Sequence, residues 1–154
     1  MTGGPGLADI GALLPHGTDA RLLDRVTEVG PGGLVAEATV GRKTIFSEPD
    51  GSLMSWYAAE LMAQAVSAYS AATRAGGPLP RIGLLLGVRD LRCQLPRFVA
   101  GSRLAVRVQE STRDDRGMAV FDCTVAMEGV VVAAGTLTAY EPVDAHALLR
   151  GDPT

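Results

Sequence analysis

Cysteine, histidine and aromatic residues are scarce in this chain, and each scarcity narrows the range of possible functions. Cys93 and Cys123 stand apart in strand-like runs without a Cys-x-x-Cys motif, which predicts reduced thiols rather than a disulfide framework. His16 and His146 are far apart in sequence, so their spacing indicates no metal site. We therefore expect a protein that holds no metal ion and uses no cofactor.

Excess charge of one sign and long apolar runs are also missing. The chain has 14 Lys and Arg residues against 17 Asp and Glu residues, and the net charge of −3 gives no reason to expect nucleic-acid binding. The sequence shows no secretory signal, and its longest helical segment is too polar for a membrane span, which needs about 20 apolar residues. These observations predict a cytoplasmic protein that binds neither nucleic acid nor a membrane.

The cations are unevenly distributed along the chain. Nine of the 14 fall in one window, and these are Arg74, Arg81, Arg89, Arg92, Arg97, Arg103, Arg107, Arg113 and Arg116. Such a window is typical of the charged edges of solvated strands, and it would also suit an acidic partner.

A large apolar fraction is present, 47% of the 154 residues. A chain of this length forms one domain and buries about two thirds of its unfolded surface. The Gly- and Pro-rich beginning predicts flexible residues at 1–8, followed by one folded domain at 9–142 and a polar C-terminal tail at 143–154.

The strongest helical signal covers residues 56–75, which contain no Gly or Pro and consist mainly of Ala, Leu, Met, Glu and Gln. The apolar residues run all the way round, which predicts a helix buried on every side. Two polar side chains, Glu60 and Gln64, interrupt this surface one turn apart. A carboxylate in apolar surroundings is costly unless it is paired, so Glu60 is the first candidate functional residue.

Runs of alternating apolar and polar residues predict six strands around this helix. In chain order the runs are 20–29, 34–41, 82–93, 102–112, 118–127 and 130–140. The first two form a hairpin before the helix, and the other four form a meander after it. This order predicts an α+β fold in which one antiparallel sheet wraps one long buried helix, with a dimer partner covering a sheet edge.

The element order and several motifs together resemble the hot-dog fold, and within it the 3-hydroxyacyl-[acyl carrier protein] dehydratases of fatty-acid synthesis. The motifs are Leu-Leu-Pro-His at 13–16, Leu-Leu-Asp-Arg-Val at 22–26, Glu-Leu-Met-Ala-Gln-Ala at 60–65 and Gly-Val-Arg at 87–89. The resemblance implies an enzyme that removes water from a 3-hydroxyacyl thioester held on the phosphopantetheine arm of an acyl carrier protein.

In that family a histidine removes the C2 proton and a helix carboxylate protonates the departing 3-hydroxyl. The resemblance places Glu60 at the catalytic carboxylate and Gln64 at the residue that helps to hold it. The residues expected to bind substrate are Gln64, Tyr57, Phe46 and Ser47, and those expected to bind the carrier protein are Arg92 and Arg97.

The family's histidine is missing from its expected place. Its Gly-His-Phe-Pro motif falls on Phe46, within Thr-Ile-Phe-Ser-Glu-Pro-Asp at 44–50, and His16 matches a different family position. The pattern resembles the branch of the family that keeps the glutamate and lacks the histidine, including subunits of polyene and aryl-polyene synthases.

Several interpretations stay open at this level. A heterodimer with a histidine-bearing hot-dog homologue would complete one site with Glu60. The chain could instead be a non-catalytic subunit that stabilises such a homologue or binds the carrier protein. A homodimer would act alone only with a site rebuilt around Ser47, Glu48, Asp50 or His16. The hot-dog fold also includes acyl thioesterases, in which Glu60 would activate water.

Overall fold

A computed structural model describes residues 13–14, 17–73, 83–141 and 150–151. They form strands and one long helix in the predicted α+β order. The strands are β1 (Arg25–Gly30), β2 (Gly33–Thr39), β3 (Leu53–Met54), β4 (Leu84–Cys93), β5 (Arg97–Phe98), β6 (Arg103–Arg113), β7 (Met118–Met127) and β8 (Val130–Tyr140). The helix α1 (Ala58–Thr73) follows a 3-10 turn at Ser55–Tyr57. The predicted flexible start at 1–8 lies outside the described residues, as does the tail at 143–154 except for 150 and 151.

Six strands form one antiparallel sheet in the order β1-β2-β6-β7-β8-β4. The last two strands have the bounds expected from their alternating pattern, because each is closed by a tight turn. A second, two-stranded ribbon pairs β3 with β5, Leu53 opposite Phe98. The sequence did not predict this ribbon, since two residues per strand are too few for a periodic signal.

One face of the sheet packs on α1 and forms the core. Register aligns the inward residues of neighbouring strands, so that Val108 lies opposite Cys123 and Phe121 opposite Leu137, all buried. Burial, with a smaller effect of the neighbouring Asp122 charge, raises the pKa of the Cys123 thiol to about 12. The thiol therefore stays protonated at neutral pH, and Cys93 and Cys123 are both free.

The expectation that α1 is buried on every side is wrong for one face. Glu60, Ala63, Ser67 and Ser70 recur at helical spacing and are only half-buried, whereas Leu61, Met62, Ala65 and Ala68 are fully buried. We call the first four residues the open stripe. Apart from Glu60, the residues of the stripe are small and only weakly polar, so the sequence pattern did not distinguish them from buried residues. The sheet of the same chain does not cover them. No helix among the described residues is long and apolar enough to cross a membrane.

The turn between β6 and β7 depends on Gly117. Its φ is +100°, and a Cβ added there would overlap the backbone oxygen of Glu141. We expect Gly117→Ala to lower the free energy of unfolding by about 2–4 kcal/mol, measured by denaturant titration.

A matched control is Gly129→Ala in the turn between β7 and β8. Gly129 has a φ of +79° and no atom within 4 Å of its added Cβ. We expect this variant to lower the free energy of unfolding by only about 1–2 kcal/mol, which is the cost of placing alanine in the left-handed backbone region. Equal losses in the two variants would contradict the steric explanation for Gly117.

Candidate functional site

Glu60 and Gln64 lie in the first half of α1, and their side chains are hydrogen-bonded to each other. Gln64 Nε2 donates to Glu60 Oε1 at 3.0 Å. The two residues differ in burial, because Gln64 is completely buried while Glu60 is half-buried on the open stripe. The carboxylate is therefore held from inside the chain and reachable from outside it.

Gln64 also binds a segment that leads into β1. Its Nε2 donates to the carbonyl of Ala20 at 2.8 Å, and its Oε1 accepts from the amide of Leu22 at 2.9 Å. We call residues 18–22 the strap, because their backbone is hydrogen-bonded to the helix at this point. Both N–H groups of the Gln64 amide are thus used within the chain, which fixes the orientation of the amide. The sequence predicted that Gln64 helps to hold Glu60 and binds substrate, and the structure joins its side chain to Glu60 and buries it completely.

Phe46, Tyr57 and Trp56 form a row of aromatic rings at the start of the helix. The Phe46 and Tyr57 ring centroids are 5.0 Å apart, and those of Tyr57 and Trp56 are 6.0 Å apart. Phe46 and Tyr57 are half-buried, whereas 57% of Trp56 is exposed. The predicted substrate-binding pair Phe46 and Tyr57 is therefore brought together, and Trp56 extends it to the surface.

The hydroxyl of Ser47 is occupied by its own loop. Ser47 Oγ accepts from the Thr44 amide at 2.9 Å, lies 3.0 Å from Thr44 Oγ1 and donates to the Arg42 carbonyl at 3.2 Å. With these partners Ser47 stabilises the turn that carries Phe46. Asp50, another residue considered for a rebuilt site, accepts from both the amide and the hydroxyl of Ser52, which lowers the pKa of its carboxyl.

Arg92 and Arg97 lie on either side of a segment that contacts the helix start. Cys93 Sγ donates to the carbonyl of Ser55 at 3.3 Å, and the Ser55 amide donates to the carbonyl of Pro96 at 3.2 Å. Both arginines are exposed, and Arg97 Nη1 lies 3.8 Å from Asp50 Oδ2. The register of β4 and β5 therefore brings both predicted carrier-binding residues close to the segment that opens α1.

A shallow pocket, open to solvent, is lined in part by Leu22 of the strap. Buried Leu53, Leu61 and Leu104 also line it, as does Arg42. Neither Glu60 nor Tyr57 lines it. The pocket is thus adjacent to the carboxylate through Leu61 but separate from it.

The chemistry available at this site is that of one carboxylate. Its carboxyl can donate or accept a proton, and no described group of His, Cys, Asp and Glu residues could hold a metal ion. Phe46, at the expected place of the base, cannot take a proton. His16 lies outside the described residues.

Comparison with protein families gives one match over nearly the whole chain. The model of the ApeP-like family, described as ApeP dehydratase, matches residues 8–150. A search among curated proteins found no significant match.

Among solved structures, the dehydratase heterocomplex ApeI:P from Xenorhabdus doucetiae is similar over 94% of this chain and 98% of the matched chain. The identity is 29% and the TM-score is 0.78. More distant matches are the TT0310 protein of Thermus thermophilus and the PaaI protein of E. coli. The TT0310 match has 23% identity and a TM-score of 0.55, and it covers 75% of this chain and 89% of the matched chain. The PaaI match has 14% identity and a TM-score of 0.58, and it covers 75% of this chain and 81% of the matched chain. These two establish the shared hot-dog fold alone.

Proposed function

Because the chain belongs to the ApeP-like family of dehydratases, we propose that it is one subunit of a two-chain 3-hydroxyacyl thioester dehydratase in fatty-acid or polyene biosynthesis. The observation that carries the proposal is Glu60, a carboxylate on the open stripe that Gln64 holds from behind. Its substrate would be an acyl chain on the phosphopantetheine arm of an acyl carrier protein.

The reaction breaks the C2–H and C3–O bonds and forms a double bond between C2 and C3. Hydroxide is a poor leaving group, so a proton must reach the C3 oxygen as it departs and water is released. Glu60 in its carboxylic acid form would supply that proton. Gln64 would keep the carboxyl directed outward from the helix, toward the substrate.

The C2 proton needs a second group, and here the chain departs from the enzymes that it resembles. Phe46 occupies the expected position of the base and packs on Tyr57. A homodimer would therefore combine two carboxylates with no histidine at either base position. A histidine-bearing homologue would supply the missing base beside Glu60, and the similar chain from Xenorhabdus doucetiae was found in a heterocomplex.

The two edges of the sheet differ in their fitness to bind such a partner. β1 is only six residues long and carries an ion pair of 2.6 Å between Arg25 and Glu37. Such features blunt an edge. β4 is ten residues long, and register shifts interrupt its pairing with β8 at two places. It nevertheless exposes Leu84, Leu85 and Leu86, and no strand lies beyond it among the described residues. We therefore place the partner at the β4 edge.

Activity of the separate and mixed chains tests the proposal. The purified chain should dehydrate 3-hydroxyacyl carrier substrates slowly or not at all, whereas addition of a histidine-bearing homologue from the same host should restore turnover. The product is followed by mass spectrometry as the loss of one water from the carrier-bound chain. Rapid dehydration by the chain alone would contradict the two-chain proposal, and release of free acid would indicate a thioesterase.

Carrier binding is expected to depend on Arg92 and Arg97. Replacing both with Glu should weaken binding of the acidic carrier protein by about 10-fold or more, measured by calorimetry at low salt. The wild-type affinity should also fall as salt is added. Arg107→Glu is the matched control, because Arg107 is exposed on β6, where it pairs in register with Val35 and Thr124. Unchanged binding in the double variant would show that both arginines are solvent-exposed strand residues with no role in carrier binding.

A further inference from the structure

We propose that Arg42 is a positioning residue for Glu60, which it orients through the strap and Gln64. The inference rests on the proposed function, because it adds a residue to the machinery of the same carboxylate. Arg42 itself lines the pocket beside the strap.

The first step is the contact between Arg42 and the strap. Arg42 Nη1 donates to the carbonyl of Thr18 at 2.9 Å, and Arg42 Nη2 donates to the carbonyl of Arg21 at 2.5 Å. One guanidinium thus binds two carbonyls of the strap that lie three residues apart. Hydrogen bonds from a cation to carbonyl oxygens are among the stronger ones in proteins.

The second step connects the strap to the carboxylate. Ala20 and Leu22 each share one hydrogen bond with the Gln64 amide, and the remaining Nε2 proton of that amide goes to Glu60. The strap is therefore hydrogen-bonded both to Arg42 and to Gln64. A shift of the strap would break or lengthen the bonds that set the Gln64 amide, and with them the direction of the Glu60 carboxyl.

The third step is the support of Arg42 itself. Ser47 Oγ donates to the Arg42 carbonyl, and the Ile45 amide donates to the carbonyl of Asp19 in the strap at 2.9 Å. The loop that carries Phe46 is thus joined to the strap through the Arg42 side chain and through the Ile45 amide. Asp24 Oδ1, 3.9 Å from Arg42 Nη2, balances part of the charge.

Arginine is suited to this position in a way that lysine is not. The planar guanidinium directs several N–H groups in a fixed fork and can bind two carbonyls at once, while an ammonium on a flexible stem offers a single point of contact. Arg42→Lys should therefore retain the charge and only part of the positioning. Arg42→Gln should lose both.

The experiment compares Arg42→Gln, Arg42→Lys and the control Arg25→Gln in the two-chain enzyme. Arg25 pairs with Glu37 on the exposed surface of β1 and does not contact the strap. We expect Arg42→Gln to lower kcat roughly 10- to 100-fold with little change in KM, as small misplacements of a catalytic group do. Arg42→Lys should fall between Arg42→Gln and wild type, and Arg25→Gln should match wild type. In a Glu60→Gln background, Arg42→Gln should cause no further loss.

A second measurement needs no turnover. The Leu22 amide, which donates to Gln64, should exchange with solvent several-fold faster in full-length Arg42→Gln than in wild type, as seen by NMR. Unchanged Leu22 exchange would overturn the inference, as would a full additional loss of kcat in the Glu60→Gln background. If Glu60→Gln alone leaves the rate unchanged, the proposed function fails, and Leu22 exchange still decides whether Arg42 sets the strap. Should Arg42→Gln unfold below the assay temperature, the same comparisons are made with Arg42→Lys.

Discussion

Glu60→Gln should lower the dehydration rate of the two-chain enzyme by roughly 10²–10⁴-fold. The substitution keeps the shape and the capacity for a hydrogen bond with Gln64, but it removes the transferable proton. Because hydroxide then has to leave unprotonated, the loss should appear in kcat. The measurement is single-turnover conversion of a 3-hydroxyacyl carrier substrate, followed by mass spectrometry.

The matched control is Glu48→Gln, a change of the same kind in the loop that follows Ser47. Glu48 is half-buried, and its backbone amide donates to the Ser52 carbonyl at 2.9 Å. We expect its rate to remain close to wild type. If Glu48→Gln abolished turnover and Glu60→Gln did not, the site would have to be rebuilt around the loop. If both variants kept full activity while the complex still formed, the chain would be a structural subunit.

Charge placed on the β4 edge should separate the two chains. Leu85 is 49% exposed and Leu86 is 53% exposed, and neither has a covering partner among the described residues. In the wild-type complex, burial of these two leucines would favour association. In the variant with Leu85→Lys and Leu86→Lys, association would instead bury unpaired ammonium groups, which is costly. We expect the dissociation constant to rise at least about 100-fold, measured by analytical ultracentrifugation of the mixed chains.

Val29→Lys tests whether the position of the charge matters. Val29 is 44% exposed on β1, at the opposite edge of the sheet, so its replacement adds a cation without touching β4. Association in this variant should equal wild type. Loss of association in Val29→Lys and not in the β4 variant would move the interface to the other edge.

The large elements of this fold were predictable from the sequence because they are periodic. β7 and β8 alternate over ten or more residues between turns, and their bounds were predicted correctly. The helix was recognised from its composition, although its 3-10 beginning and its open stripe were not. The stripe is exposed because the sheet does not extend over it. Small residues such as Ala63 and Ser67 occur on both buried and exposed helix faces, so their identity does not indicate where the sheet ends.

The candidate site was predictable only in part, for a different reason. A motif with helical spacing identified Glu60 and Gln64, and the structure joins their side chains. The bonds that hold them connect Gln64 to Ala20 and Leu22, more than forty residues away, through backbone atoms that every residue type possesses. Arg42 was missed for the same reason, since its partners are carbonyls. Contacts from a side chain to a distant backbone leave no pattern in the sequence.

The inequality of the two sheet edges also determines how many copies can join. A chain with two equal open edges can add neighbours without end and grow into a filament. Here β1 is short and bears an ion pair, whereas β4 is longer and exposes three leucines at its beginning. Pairing through β4 would be self-terminating, because each chain would use its β4 edge once and the product would expose only β1 edges. Such an arrangement would limit sheet extension to two chains, whichever homologue takes the place beside β4.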